Sequence, residues 1–382
     1  MVSGASTKLP TMATLDFSVT PNPNPVSDAK RAEILSNPGF GDYFTDHMVT
    51  IQYTEGQGWH DAAVVPYGPL SMDPASMVFH YGQAIFEGIK AYRHPDGSVA
   101  TFRPGANAER FQRSAERLAM AQLPVELFEE SLKQLLAVDE KWVPAAGSEA
   151  SLYLRPFMIA REVGLGISAS DTYTYLLIAS PAGNYFASNK TVSVWLGQEY
   201  VRAAPGGTGA AKCAGNYAAS LVADAEARAN GCDQIVWLDA VDREHIEEMG
   251  GMNLFFVYGN SDDASDITLV TPSLSGSLLP GITRDSLLQV AQDLGMKIEE
   301  RRITWQEWRD DVAAGKMTET FACGTAAVIT PVGQLKWDGG SFAINDEKPG
   351  QWTVKLRETL TGIQRGIVED KHGWTFQLTA AK

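Results

Sequence analysis

The stretch GGTGAAKCAGNY, Gly206 to Tyr217, decides how the rest of this 382-residue chain is read. Gly206, Gly207, Gly209 and Gly215 surround one lysine, Lys212, just ahead of a helical segment. Glycines allow tight turns and close backbone approach, which a bulky flat ligand requires. A lysine in a loop is ordinarily a solvated charge. Held near a cleft its amine can be desolvated, and a neutral amine is what condenses with an aldehyde. Two phosphate-loop readings compete with this one and are disfavoured. In the GxxxxGK[ST] pattern the second glycine precedes the lysine directly, whereas Lys212 follows Gly209 by three residues and Cys213 stands where Ser or Thr belongs. A dinucleotide fingerprint lacks its third glycine at the right offset.

Working outward, a helix is expected from about Tyr217 to Asn230, ended by Gly231 in the left-handed conformation. Strands are expected at Gln234 to Leu238 and Asn253 to Tyr258, and Thr283 reads as the N-cap of a helix, RDSLLQVAQDL, stopped by Gly295. Upstream, TVSVWLG, HMVTIQY (His47 to Tyr53), SLYLRPFMIA and TYTYLLIAS read as strands. Ala106 to Met120, with Phe111, Ala115 and Leu118 on one face, and Leu127 to Val138 read as helices. A single core stops growing near roughly 250 to 300 residues, and both halves mix helix with strand. Two α/β domains follow, with a small-molecule site in the cleft between them. The expected division is a flexible arm over 1–35, rich in Pro, Asn, Ser and Thr around TPNPNP (Thr20 to Pro25), a small domain over 36–182, a linker over 183–190, and a large ligand-binding domain over 191–382.

Hydrophobic residues make up 44% and charged residues 20%, the composition of a folded globular chain. A net charge of −15 disfavours nucleic acid as a partner, because a phosphate-backbone binder needs an excess of Lys and Arg. No apolar run approaches the roughly 20 residues that span a bilayer, so no membrane is expected. Cys213, Cys232 and Cys323 have no metal-ligand or Cys-x-x-Cys spacing, which fits a reduced cytoplasmic compartment and gives no metal site.

Seven motifs, in order, carry a resemblance. The lysine loop, FEGIKAYR (Phe86 to Arg93), FRPGANAERF (Phe102 to Phe111), LYLRP (Leu152 to Pro156), EEMGGMN (Glu247 to Asn253), LPGITR (Leu279 to Arg284) and GTAAVITP (Gly324 to Pro331) resemble the branched-chain aminotransferases of the fold-type IV class, which use pyridoxal 5'-phosphate (PLP). The resemblance runs from about Phe40 to the C-terminus. It implies a two-domain fold-type IV enzyme that moves an amino group between leucine, isoleucine or valine and 2-oxoglutarate. It implies a homodimer whose pockets borrow residues from the neighbouring subunit.

Residue by residue, the resemblance makes Lys212 the cofactor-bonding amine and the base that moves the substrate Cα proton. Glu248 would face the ring nitrogen, which must stay protonated for the ring to act as an electron sink. Glu247 beside it is the rival, and strand alternation lets only one of the two point at the ring. Arg110, the backbone amides of Ile282 and Thr283, and the Thr325 hydroxyl would hold the phosphate, since guanidinium and helix N-termini both suit it. Leu279 would pack on the ring and Tyr217 would hydrogen-bond the 3' oxygen. Phe44, Tyr81, Phe86, Tyr153 and, from the partner, Ile167 would form the apolar wall. Arg155 would meet the glutamate side-chain carboxylate, and amides near Thr325 and Ala326 the α-carboxylate.

Two departures from the family pattern stand out. Ala327 and Thr330 replace a Cys-x-x-Cys pair of animal members, so thiol control of that kind is not expected. Gly251 stands where a threonine often helps bind the substrate carboxylate, leaving space for water. The alternatives are another fold-type IV enzyme, a D-amino-acid transaminase or an aminodeoxychorismate lyase, and a non-catalytic nucleotide or ligand binder using the glycine loop as a phosphate cradle.

Overall fold

The computed structural model describes residues 15–183 and 190–381. The strand-like runs assemble into two nine-stranded sheets. Ser151–Ala160 shows the alternation that builds the first: its side chains are buried and half-buried in turn, because successive residues on a strand face opposite sides. It pairs antiparallel with Thr172–Ala182 on one edge and with Ile89–Arg93 and Ala84–Phe86 on the other. Helices Pro104–Arg117 and Val125–Asp139 cover this sheet, burying Phe111, Phe128 and Leu132 against Tyr175.

In the second sheet the strand Ile246–Met249 pairs with both Gln234–Leu238 and Met252–Tyr258, so six strands close into a ring. One apolar cluster, including Val194, Val236, Leu254, Phe256 and Leu335, packs with Trp308 of helix Trp305–Ala313. A second joins Phe255 and Phe321 to helices Ile282–Asp293 and Gln351–Gln364 through Leu287, Leu356 and Leu360. Helix and strand thus mix throughout, the α/β class expected.

Four sequence expectations are corrected. The arm is not free over its second half: Ser18–Val19 adds a strand alongside Gly58–Pro66, Leu15, Phe17 and Val26 pack on the first core, and Asp28–Ser36 is a helix capped by Ser27. The helix after Lys212 is two pieces, Ala214–Ala218 and Leu221–Ala229, broken where the Ser220 hydroxyl bonds the Tyr217 carbonyl instead of continuing the ladder. Gly231 does take φ +67 beyond the second piece. Thr283 is not an N-cap, because helix Ile282–Asp293 already contains it; the cap is Gly281, whose backbone is still extended. The last strand, Thr375–Thr379, returns to pair with Val99–Phe102, so the C-terminal end of the expected large domain joins the first sheet. Most of the expected linker, 184–189, lies outside the described residues.

Candidate active site

Lys212 sits where the chain passes between the sheets. Its backbone amide donates to Ser114 Oγ at 2.9 Å, its carbonyl accepts from the Phe86 amide at 3.0 Å, and Cys213 bridges Ile85. The glycine loop before it is pinned by Arg117, which donates to the carbonyls of Gly206 and Gly207, and by Asn216, which bonds Thr208 and Ala211. Gly209 has no room for a side chain: a Cβ there would lie 2.1 Å from the Ser277 carbonyl oxygen. The Lys212 amine is therefore presented by a fixed backbone. It donates to Tyr217 Oη at 2.8 Å and lies over the rings of Phe86 and Tyr217, at 4.8 and 5.3 Å.

Around this amine lies a cavity of 380 Å³ lined by Phe40, Phe86, Tyr153, Arg155, Arg202, Tyr217, Gly251, Thr325 and Ala326, among others. A second cavity of 290 Å³ shares Phe40, Tyr153 and Arg155 with it and adds Phe44, which stacks on Tyr67. Arg155 donates to Tyr153 Oη at 3.1 Å and lies over the Phe86 ring, but its buried Nε has no hydrogen-bond partner. An unpaired buried guanidinium nitrogen marks a place for an acceptor.

Two buried glutamates flank the site. Glu248, on Ile246–Met249, is 1% exposed; its Oε1 accepts from the Leu279 amide at 2.6 Å. Arg202 Nε lies 3.0 Å from its Oε2, close enough for an ion pair but not aligned for a hydrogen bond, so Oε2 has no hydrogen-bond partner. Burial pushes the Glu248 carboxyl up, and Arg202, the Leu279 amide, Lys212 and Arg110 offset part of that rise. Glu247 is directed elsewhere, its Oε1 accepting from the Ser277 hydroxyl. Glu87 is the other glutamate: Arg110 grips it through Nε at 2.7 Å and a terminal nitrogen at 2.8 Å, and Asn107 adds a bond at 2.8 Å.

Ile282 and Thr283 open their helix, so their amides are among those no intrahelical carbonyl satisfies. They line one narrow cleft with Asn107 and Thr325, and Arg110 reaches the Pro280 carbonyl next to it. The Gly324–Ala327 turn ends at Val328, whose φ of +61 is rare for a β-branched residue. Lys90, buried in the strand Ile89–Arg93, donates to the Ala326 carbonyl at 2.6 Å and so ties this turn to the first sheet.

The structure thus brings Lys212, Tyr217, Arg110, Glu248, Leu279, Ile282, Thr283, Thr325, Ala326, Phe86, Tyr153, Arg155 and Gly251 into one region, with Phe44 in the adjoining cavity. Tyr81 lines neither of these two cavities and lies at the surface, its hydroxyl donating to the Leu165 carbonyl. Ile167 is 90% exposed near it. Sequence reasoning missed Phe40, Glu87 and Lys90, and assigned Arg202 no role. Glu87 and Lys90 stood within a quoted motif, but nothing local marked either as buried.

The residues suit a planar aldehyde phosphate: an amine, a carboxylate oxygen lacking a hydrogen bond, and helix-start amides converge there. The family model "Amino-transferase class IV" matches residues 84–335. The chain is 63% identical over 365 residues to a branched-chain-amino-acid aminotransferase of Mycolicibacterium smegmatis, covering 95% of this chain and 98% of that one. Its fold is similar to the branched-chain amino acid aminotransferase of Escherichia coli, with a TM-score of 0.70 at 28% identity, covering 86% and 99% of the two chains. It is also similar to the branched-chain aminotransferase of the thermophilic archaeon Thermoproteus uzoniensis with norvaline, with a TM-score of 0.69 at 26% identity, covering 87% and 99%.

Proposed function

We propose how this pocket works from one premise: the chain belongs to the class IV aminotransferases and transfers amino groups on branched-chain amino acids. The finer reading is that leucine, isoleucine or valine exchanges its amino group with 2-oxoglutarate, with PLP as cofactor. One observation carries it: the Lys212 amine lines a cavity together with Arg202, and Arg202 contacts a buried Glu248 oxygen that has no hydrogen bond. PLP, when bound, supplies an electron sink for the carbanion at the substrate Cα.

In this reading Lys212 would hold the cofactor through its amine and would serve as the base that moves the substrate Cα proton, with the Tyr217 hydroxyl orienting that amine. Glu248 Oε2 would accept from the ring nitrogen, and Leu279 would pack on the ring. Arg110, already locked by Glu87, holds the phosphate together with the Ile282 and Thr283 amides and the Thr325 hydroxyl. Thr325 and Ala326 offer amides to the α-carboxylate, and Gly251 leaves room for water beside them. Phe44, Phe86 and Tyr153 receive the branched side chain, whereas Arg155 Nε receives the second carboxylate of glutamate.

Tyr81 and Ile167 would enter a neighbouring subunit's pocket in a homodimer. The exposed patch of Phe79, Tyr81, Val163, Leu165 and Ile167 supports this, since large exposed apolar patches mark interaction surfaces. The two sheets correspond in this reading to the two domains. Among the described residues no helix is long and apolar enough to cross a membrane; a reducing cytoplasmic setting would suit the three free cysteines.

Borohydride reduction followed by peptide mass spectrometry should place the cofactor on Lys212, and Lys212→Ala should lose transamination of L-leucine by roughly 10³-fold or more, on the order expected for a covalent catalyst. A label on another lysine, or wild-type turnover by the variant, rejects the cofactor assignment. Activity with D-alanine and none with L-leucine would instead point to the D-amino-acid alternative.

A further inference from the structure

Arg202 is a cation buried beside Glu248. Its side chain is 5% exposed, and its Nε lies 3.0 Å from Glu248 Oε2. One terminal nitrogen donates to the Ser277 carbonyl at 2.7 Å, and both reach the Gly209 carbonyl at 3.4 Å. The guanidinium therefore joins the loop carrying Lys212, the segment whose Leu279 amide holds the other Glu248 oxygen, and Glu248 itself.

A desolvated carboxyl favours its neutral form, and Arg202 is the largest influence opposing this at Glu248. Consider a proton shared between Glu248 and a heteroaromatic nitrogen set against its Oε2. On the carboxyl the proton sits beside the Arg202 cation; on the nitrogen it sits farther away. A fixed positive charge behind the carboxyl thus drives the proton toward the ring. No atom is gained or lost, only the position of one proton changes.

We propose that Arg202 is a positioning residue for transamination, fixing Glu248 and placing a positive charge behind its carboxyl so that a proton shared between Glu248 and the cofactor would reside on the ring nitrogen. This rests on the PLP reading above. The rival is a structural arginine that merely pins Gly209 to Ser277.

The test uses full-length holoenzyme with PLP labelled with ¹⁵N in the ring, and separately with the deaza analogue, which has C–H in place of that nitrogen. In wild type the ¹⁵N resonance should lie in the pyridinium range, and in Arg202→Gln it should move toward free pyridine. With PLP, kcat for L-leucine should fall about 100-fold with KM changed by less than about threefold, and Arg202→Lys should recover about tenfold. With the deaza cofactor, wild type and Arg202→Gln should turn over equally. An unmoved ¹⁵N resonance, wild-type kcat, or an equal loss with both cofactors overturns the proposal. If Arg202→Gln does not fold, Arg202→Lys carries the same comparison. Failure of the PLP reading is seen separately, as wild-type enzyme that borohydride does not label on Lys212.

Discussion

Glu87 beside the first sheet and Glu248 on the ring of the second are both glutamates buried next to a buried arginine, and both feel the Lys212 charge. Their wiring differs. Glu87 receives two aligned bonds from Arg110 and one from Asn107. Burial would raise its carboxyl, but the Arg110 charge and hydrogen bonds, with Lys212 and Asn107, outweigh burial and hold it low. Glu248 has an ion-pair contact without alignment and an oxygen without a hydrogen bond, and burial wins. The Glu87 carboxylate is scaffold, since its aligned bonds all run within the protein, and they fix Arg110 while leaving it donors for the phosphate. An open pair retains capacity for a ligand, at a cost in stability that the ligand can offset.

The contrast is sharpest in Glu87→Ala against Glu248→Gln. Removing Glu87 strands the Arg110 charge, for which a loss of about 3–5 kcal/mol is expected in denaturant unfolding. Glu248→Gln also leaves the buried Arg202 cation without its counter-charge, but that pair is unaligned and the amide sheds the carboxylate's own desolvation cost, so a smaller loss of about 1–3 kcal/mol is expected. Its kcat for L-leucine should nonetheless fall by roughly 10²-fold or more. Equal stability losses in the two variants would erase the distinction between scaffold and chemistry.

How far this contrast was legible before folding differs between its two halves. EEMGGMN offered adjacent glutamates, and period-two alternation is a local rule, so one of them had to turn away; Glu247 is the one on Ser277. FEGIKAYR offered Glu87 with no sign of its burial, because its partner Arg110 comes from a helix that must first dock on the sheet. Arg202 and Lys90 were illegible for the same reason: desolvation is a property of the packed sheets and not of neighbours in sequence. The helix break near Ser220 and the Gly281 cap escaped notice because they depend on single side-chain and backbone bonds that periodicity averages over. TPNPNP misled through composition, since Asn22 is held by His47 and the Asp46 carbonyl once the first sheet exists.

Acid titration offers a subtler way to break the comparison, because the two carboxyls contribute with opposite sign. Glu87, held below its ordinary value of 4.5, gives stability that is complete above that value and is lost as pH falls through the depressed one. Glu248, raised above 4.5, is protonated in the folded state where the unfolded chain is not. Its contribution is complete below 4.5 and is lost as pH rises through the raised value. Unfolding free energy of cofactor-free enzyme, followed on both sides of pH 4.5, should therefore lose part of its acid-side fall in Glu87→Gln. In Glu248→Gln it should lose part of its decline above 4.5. Parallel profiles for the two variants would mean that both carboxyls are wired alike.

The mildest test uses the glycines beside the two pairs. A Cβ on Gly88, next to Glu87, would lie 2.1 Å from Tyr153 Oη, and that hydroxyl accepts from Arg155. Gly88→Ala must therefore push the tyrosine ring and disturb the arginine with it, and kcat/KM for glutamate should fall about tenfold, more than for leucine. A Cβ on Gly251, three residues past Glu248, would meet the Tyr217 ring at 3.5 Å, an ordinary contact. Gly251→Ala should keep kcat/KM for both donors within about threefold, since the methyl fills space without displacing a neighbour. If Gly251→Ala is as damaging as Gly88→Ala, the open side of the pocket is packed as tightly as the closed one, and the space inferred beside Thr325 and Ala326 is not there to hold water or substrate.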